Sequence, residues 1–416
     1  MKLALVLNRF WPEVGGAETN LYFQAVELAR RFDVTVFTPR RLAEEKDYEE
    51  HGGFKVHRLP DAFNRARAFP NLAARTFMPS LFTHLMRGGF DVVQAFASLN
   101  HNTLAAFAAT RLLRTPRIFC SFDFLDYATL IREQGSRAAV SAITNHVPTR
   151  RKAFMLRHME HVFAISQREL EFLRRFNPAA SYSPVPVLAD EYLQATPSPR
   201  ARHGIGDDEF VYLCLGRVSE IKGQDLALEA FLRIHREVPR SRLVIVGRSD
   251  YEEGYVAAMR ERIAETGLGD RVLFTGMVER ADVIAWLAHS DAHVIPVRFL
   301  NSGAVVAETW AAGTVVIQSD VVDPNYVVDG ENGYLFESES VEALAAQMRA
   351  ASRDRERLAA MAERGRRFVL EKLTYPRLIE TYTDVYQRLV RRPSSAFGTQ
   401  AAAASGPASS SGSSMR

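Results

Sequence analysis

Arg217 and Lys222 lie in the octapeptide Gly216-Arg-Val-Ser-Glu-Ile-Lys-Gly223, directly after the apolar run Phe210-Val-Tyr-Leu-Cys-Leu215. An apolar run of that length ending in glycine predicts a buried parallel strand. Beyond Gly223, the spacing of Leu226, Leu228, Ala230, Phe231 and Ile234 predicts a helix. Both cations therefore fall in a strand-to-helix loop, where open α/β sheets hold ligands. Two fixed cations beside the positive end of a helix suit a diphosphate, because charge-assisted bonds and the helix end act together. Taken alone, the octapeptide is equally a solvated basic turn on a surface helix.

Other residues of chemical interest occupy comparable places. Ser302-Gly303 precedes a predicted helix over 304–312, where a serine cap and a glycine leave backbone amides near Ala304 open to an anion. Gly15-Gly16, just ahead of Glu18, opens another helix and permits close backbone approach, although turns use such pairs freely. Asn100-His101-Asn102 follows one predicted strand, and Asp123 and Asp126 follow another. His101 or Asp123 could orient a hydroxyl, or each could be a loop residue or a helix cap. No Asp-x-Asp pair occurs, so no metal site is expected.

These residues need a scaffold, and the chain supplies alternating strand and helix patterns. Predicted strands cover 2–7, 33–38, 55–58, 91–95, 117–121, 161–165 and 182–187, with a charged loop at 44–51. A second series covers 210–215, 242–246, 271–274, 292–295 and 314–318, followed by helical patterns over 341–370 and 376–390. Alternation of this kind predicts βαβ units and parallel, doubly wound sheets. A Pro-rich stretch at 195–200 separates the series. The expected organisation is an N-terminal Rossmann-like domain at 1–190, a linker at 191–206, a second Rossmann-like domain at 207–373, a terminal helix at 374–392 and a disordered tail at 393–416.

Composition narrows the class. A net charge of +3 over 416 residues divides unevenly, with 25 Lys+Arg against 18 Asp+Glu in residues 1–190. That balance is too small to argue for nucleic acid. The two cysteines, Cys120 and Cys214, sit in apolar runs and read as buried free thiols of a reducing compartment. Without a signal-like start or an apolar run of spanning length, the expected location is cytoplasmic. Between Ala62 and Phe90 there is no acidic residue, while Arg65, Arg67, Arg75 and Arg87 alternate with apolar and aromatic side chains. A second such stretch, 135–159, carries Arg137, Arg150, Arg151, Lys152 and Arg157. Such interleaving suits peripheral contact with an anionic membrane or a lipid-diphosphate acceptor, and equally a packed helix with solvated arginines.

An ordered series of motifs resembles the GT-B glycosyltransferases, in particular the large retaining family 4. It runs from Gly15-Gly16-Ala-Glu18 and Asp33-Val-Thr-Val-Phe37 through Gly216-Arg217…Lys222-Gly223, Leu243-Val-Ile-Val-Gly247 and Arg271-Val-Leu-Phe-Thr-Gly276. Asp291-Ala-His-Val-Ile-Pro296, Ser302-Gly303…Glu308, Ala311-Ala-Gly313 and Val328-Asp-Gly-Glu-Asn-Gly333 follow. The resemblance covers roughly residues 1–390 and implies two Rossmann-like domains facing across a cleft, with a C-terminal helix crossing back to the first. It implies a sugar transferred from a nucleotide-sugar, UDP- or GDP-linked, to a glycan, lipid-linked or small-molecule acceptor, with no other cofactor. Arg217 and Lys222 would hold the diphosphate, and Glu308 the ribose hydroxyls. Gly15, Gly16, Gly216, Gly247, Asn301, Ser302, Gly303 and Ala304 would line the donor site, with Gly276, Met277 and Val278 meeting the base. Glu18, His101, Asp123 and Asp126 are candidates on the acceptor side.

Departures from the family pattern are specific. The first glutamate of the family's pair is replaced by Leu300, as in a variant branch carrying Asn-Ser-Gly, where the Asn301 amide could take its contact. Phe122 stands where a histidine is expected, and Gln94 and Phe96 occupy positions that often carry histidines. Two other readings stay open on these grounds: a nucleotide-sugar hydrolase or epimerase, and a weakly active nucleotide-binding subunit of a transferase complex.

Overall fold

The computed structural model describes residues 1–12, 16–41, 45–62, 76–122, 149–250, 252–298, 303–322 and 326–391, and for Gly16, Ala17 and Thr149 the backbone alone. The first sheet contains β1 (Lys2–Val6), β2 (Asp33–Pro39), β3 (Tyr48–His51), β4 (Phe54–Leu59), β5 (Val92–Ala97), β6 (Arg117–Ser121), β7 (His161–Ala164) and β8 (Ser181–Tyr182), in the order β3-β4-β2-β1-β5-β6-β7-β8. Every pair is parallel except β3–β4. Around it lie α1 (Gly16–Ala29), α2 (Leu81–Gly88), α3 (His101–Leu113), α4 (Thr149–Arg157) and α5 (Gln167–Arg174).

After the short α6 (Ala189–Tyr192), the second sheet contains β9 (Phe210–Leu215), β10 (Ser241–Val246), β11 (Val272–Gly276), β12 (Ala292–Ile295), β13 (Val315–Ser319) and β14 (Gly333–Phe336), in the order β11-β10-β9-β12-β13-β14. All its pairs are parallel. Its helices are α7 (Gln224–Ile234), α8 (Glu253–Thr266), α9 (Arg280–Ala288), α10 (Ala304–Ala311), α11 (Val341–Ser352) and α12 (Arg355–Lys372), and α13 (Tyr375–Arg391) ends the described chain. No described helix is long and apolar enough to cross a membrane. Cys120 and Cys214 are buried free thiols, as expected.

Three local expectations change. Residues 48–51, predicted as charged loop, form the antiparallel edge strand β3. Gly52 and Gly53, at φ +58° and +86°, make its hairpin turn, and an edge strand tolerates charge because only one side of it pairs. The strand predicted over 182–187 shrinks to Ser181–Tyr182, since Pro184 and Pro186 have no N–H to donate. The continuous helix predicted over 341–370 divides at Asp354, whose carboxylate accepts from the Arg357 amide at 2.8 Å and caps α12. β14 has no counterpart among the predicted strands.

Two crossings join the sheets. Val187 and Tyr192 already pack in the core of the second sheet. The stretch read as a linker is docked rather than loose: Arg200 is buried, bonding the His289 carbonyl at 2.7 Å and the Asp291 carboxylate at 2.8 Å. On the return, α13 crosses to the first sheet, where Leu378, Ile379, Tyr382, Val385 and Tyr386 bury against Leu3, Leu5, Ile118 and Phe163. The Tyr386 hydroxyl donates to Gln94 Oε1 at 2.5 Å, and the Tyr375 hydroxyl to Asn20 Oδ1 at 2.9 Å. The crossings touch where the Val187 amide donates to the Leu373 carbonyl at 2.9 Å.

Strand order reverses between β1 and β5 in the first sheet and between β9 and β12 in the second. Crevices at such points hold ligands. In the first sheet the loops after β1 and β5 are tied by Asn102, which donates to Asn8 Oδ1 at 3.0 Å. Ala97, at the end of β5, has φ +69°, a left-handed backbone unusual for a residue with a side chain. In the second sheet the loops after β9 and β12 are pressed together. A Cβ on Gly223 (φ +70°) would fall inside the Pro296 carbonyl oxygen. Arg298 donates to both Asp225 oxygens at 2.7 Å and to the Glu220 carbonyl at 2.7 Å.

Gly223→Ala should cost about 1–3 kcal/mol in denaturant unfolding, because the left-handed backbone and the Pro296 oxygen both oppose a Cβ. Tyr382→Ala should cost about 3–5 kcal/mol through the cavity it leaves under α13, seen as a lowered melting temperature.

Candidate active site

The backbone of the loop after β9 is held on all sides. A Cβ on Gly247 (φ +144°) would collide with the Gly216 carbonyl, so these two glycines let the ends of β9 and β10 meet. The Gly216 amide donates to Val246 at 2.9 Å and the Val218 amide to Arg248 at 2.8 Å. Buried Gln224 donates to the Arg217 carbonyl at 3.0 Å and accepts from the Ser219 amide at 3.3 Å. With this backbone fixed and Val218 buried, the Arg217 side chain is exposed and Lys222 is half-buried. Burial first, and then the Arg217 cation, lower the Lys222 pKa. The loop thus brings two like charges together at the crevice.

Behind it sits His293, almost fully buried on β12. Its Nδ1 lies 2.6 Å from Thr309 Oγ1, whose own proton goes to the Val305 carbonyl at 2.7 Å. Nδ1 is therefore the donor, leaving Nε2 to accept from the Leu215 amide at 3.3 Å. Burial, reinforced by the Lys222 charge, pushes the imidazole pKa down to about 3, so it stays neutral. This neutral ring couples the end of β9 to α10.

α10 begins at Gly303 (φ +74°), where a Cβ would enter the Tyr326 ring. Glu308 projects from its second turn. The sequence predicts an apolar, buried setting, and Val306, Ala307, Trp310 and Ala311 are buried. The Glu308 side chain itself keeps 28% of its exposure, and pairs with Arg280 at 3.3 Å. Arg280 also reaches Glu191 Oε2 and the Tyr192 hydroxyl, each at 3.0 Å. Burial and then the Glu308 charge raise the Tyr192 pKa, so this hydroxyl stays protonated.

At the far end of the crevice, Gly276 has φ +71°, its carbonyl accepts from Gly247 at 2.9 Å, and Met277 is 79% exposed. In the first domain, the Gly16 backbone starts α1, and Glu18 pairs with Arg9 at 3.7 Å. Asn100 proves to be a cap, its Oδ1 accepting from the Asn102 and Thr103 amides at 2.9 and 3.1 Å. That leaves His101 exposed at the start of α3, beside the crevice. Gln94 and Phe96, at positions that carry histidines in the family, are buried core residues, and Phe122 stacks on Phe96 at 6.2 Å. Gly15, Asp123, Asp126, Leu300, Asn301 and Ser302 lie outside the described residues, as do Arg65, Arg67, Arg75, Arg137 and the 393–416 tail.

Sequence reading missed several participants. Arg280 and Tyr192 meet from 88 positions apart, which no local pattern announces. His293 sits inside a quoted motif, but nothing in that motif says that its ring holds β9. Glu169 is buried at the ends of β6 and β7, bonded to Ser121 Oγ and accepting from the Ile165 amide at 3.0 Å. The Ser166-x-x-Glu169 capping signature was available to find it.

Comparison with known proteins agrees with this architecture. Residues 196–368 match the family of glycosyl transferases group 1, and residues 15–187 match a glycosyl transferase 4-like domain. The chain is 27% identical to a GDP-mannose-dependent alpha-(1-6)-phosphatidylinositol monomannoside mannosyltransferase of Mycolicibacterium smegmatis, over 89% of this chain and 94% of that protein. It is 26% identical to a lipopolysaccharide core biosynthesis mannosyltransferase of Rhizobium meliloti, over 57% of this chain and 68% of that protein. The fold superposes on sucrose-phosphate synthase from Thermosynechococcus elongatus with a TM-score of 0.71 at 19% identity, covering 93% of this chain and 98% of that one. The chain belongs to the group 1 glycosyltransferases, GT-B enzymes that move a sugar from a nucleotide-sugar donor.

Proposed function

We propose that the second domain (207–373) binds a nucleoside-diphosphate hexose and the first (1–190) presents a hydroxyl of a glycan or lipid-linked acceptor, with transfer proceeding with retention and without a metal ion. The observation that carries this reading is the pair Arg217 and Lys222, fixed as like charges at the strand-order reversal of the second sheet. A diphosphate carries negative charge for both at once. The start of α10 near Gly303 and Ala304 adds helix-end amides, with Asn301 and Ser302 beside them. Glu308 accepts from the ribose hydroxyls, and the base lies against the backbone of Gly276, Met277 and Val278. GDP-mannose is the first donor to test, because the Mycolicibacterium relative is named for it.

In the reaction, the bond between the anomeric carbon and the β-phosphate oxygen breaks, and its electron pair leaves with the phosphate. Arg217 and Lys222 neutralise that charge as it develops. With Leu300 in place of the family's first glutamate, the chain offers no carboxylate there for a covalent intermediate. The acceptor hydroxyl then attacks on the face the phosphate leaves, and its proton passes to the departing phosphate oxygen. Peripheral contact with an anionic membrane through the acid-free stretches would bring a lipid-linked acceptor to the first domain.

Thermal-shift screening with GDP-, UDP- and ADP-sugars identifies the donor, since ligand binding stabilises the folded state by mass action. Arg217→Ala and Lys222→Ala should each lower kcat by roughly 10²–10³ with the melting temperature little changed. Full activity in both variants, or an inverted product anomer by NMR, overturns the mechanism. Protonated Lys222 is the binding form, and its pKa is depressed, so nucleoside-diphosphate affinity should begin to fall at a lower pH than free lysine titrates. A Kd series from neutral to alkaline pH, compared with Lys222→Met, reads this effect; the variant should lose the dependence.

A further inference from the structure

A cavity of about 300 Å³ opens on the first domain between α2, the start of β1 and the central parts of β2 and β4. It is separate from the crevice. Its lining shares no residue with the crevice: it lies on the face of the sheet under α2 and runs from Lys2 to Phe37 and His57, which are level with Val6, whereas the crevice lies beyond the strand ends. Lys2, Lys55, His57, His84 and Arg87 line it, against the rings of Phe37 and Phe90, and no carboxylate is part of the lining among the described residues.

The basic groups are only partly engaged. Lys2 Nζ donates to the Gly88 carbonyl at 2.7 Å and stands 5.1 Å from the centre of the Phe90 ring. Lys55 pairs with Asp33 at 2.8 Å, and Glu50 faces it across the β3–β4 ladder. His84 Nδ1 donates to the Ser80 carbonyl at 2.8 Å, so in the neutral ring Nε2 is an acceptor. His57 stacks edge-on with Tyr48 at 4.9 Å, and neither it nor Arg87 makes a hydrogen bond or ion pair among the described residues. Burial, then His84 and Lys55, lower the His57 pKa. Two nearby acids already engage the lining, Asp33 through the Lys55 side chain and Asp91 through the Lys2 backbone amide at 2.6 Å, while Arg87 has no such partner among the described residues. Cations gathered around an aromatic-walled cavity, with spare N–H groups on His57 and Arg87, form a receptor for an oxyanion.

We infer that this cavity binds a phosphate ester, the group shared by small phosphorylated polyols and anionic phospholipid headgroups, at a site distinct from the donor crevice. The site takes a ligand about the size of a sugar phosphate. It does not depend on the donor assignment. Thr83, His84 and Arg87 reach it from α2, within the acid-free 62–90 stretch, so the same wall that faces the cavity is exposed at the surface.

The test uses the full chain, its His84→Ala/Arg87→Ala double variant, and two probes: glycerol 3-phosphate in solution, and phosphatidylcholine vesicles with or without phosphatidylglycerol. Both replaced side chains are exposed, so melting temperature and nucleoside-diphosphate affinity should stay unchanged in the variant. Saturable binding of either probe, at least tenfold weaker in the double variant and unaffected by saturating GDP or UDP, supports the site. Binding of glycerol 3-phosphate alone assigns it to a free phosphate ester; sedimentation with phosphatidylglycerol vesicles alone assigns it to a headgroup. No binding of either probe, binding that the double variant retains, or binding that the nucleotide displaces overturns the inference.

Discussion

The functional half of this molecule depends on how closely two loops are forced together where strand order reverses in the second sheet. Gly223 backs onto the Pro296 carbonyl, and Arg298 bolts Asp225 with two 2.7 Å bonds. Burial alone would raise the Asp225 carboxyl, but Arg298 and the Tyr255 hydroxyl outweigh it and hold the group ionised, below its usual range. The pair is partly solvated, so its value lies less in net stability than in geometry. A planar fork on a carboxylate permits one orientation, and that orientation sets the 3₁₀ turn Glu220–Lys222. Together with the Lys222 amide bond to the Ser219 carbonyl at 2.9 Å, it fixes the backbone from which the Lys222 stem rises.

Preorganisation of this kind has an electrostatic cost that the fold absorbs. Lys222 is depressed by burial and by Arg217, and His293 behind them is kept neutral rather than adding a third charge. A protonated His293 would repel Lys222 and lose its acceptor role toward Leu215. The neutral tautomer instead continues the line from β9 to Thr309 on α10, where Glu308 stands one residue earlier. Positive charge is concentrated at the loop and excluded one layer below it.

Much of this was legible in the sequence, for reasons that differ by element. β9, Gly216, Arg217, Lys222 and α7 could be read because a buried strand, a glycine pair and an amphipathic helix are all local patterns. The crossing of α13 followed from family resemblance, not from its periodicity, which says only that one face is apolar. Residues 48–51 were misread because charge on an edge strand looks like loop, and the break at Asp354 was hidden by helical spacing on both sides of it. Gln94 shows the limit of positional matching. It sits where the family often has a histidine, yet here it is a buried acceptor for Tyr386. Arg280, Arg298 and Tyr192 were beyond reach because each acts on a partner brought close only by the folded sheet.

Those long-range contacts also explain why the crevice and the domain crossings form one system. Arg280 divides its charge between Glu308 and Glu191, and Glu191 and Tyr192 belong to α6, the first structured turn after the chain leaves the first sheet. Tyr375, at the return crossing, is raised first by burial and next by the Glu308 charge, while its hydroxyl donates to Asn20 on α1. A diol that takes hydrogen-bond acceptance from Glu308 competes directly with Arg280. Among the described residues, the other partners of Arg280 are Glu191 and Tyr192, on the segment that links the domains. Glu308 therefore stands between both crossings, paired with Arg280, which also holds Glu191 on α6, and close enough for its charge to act on Tyr375.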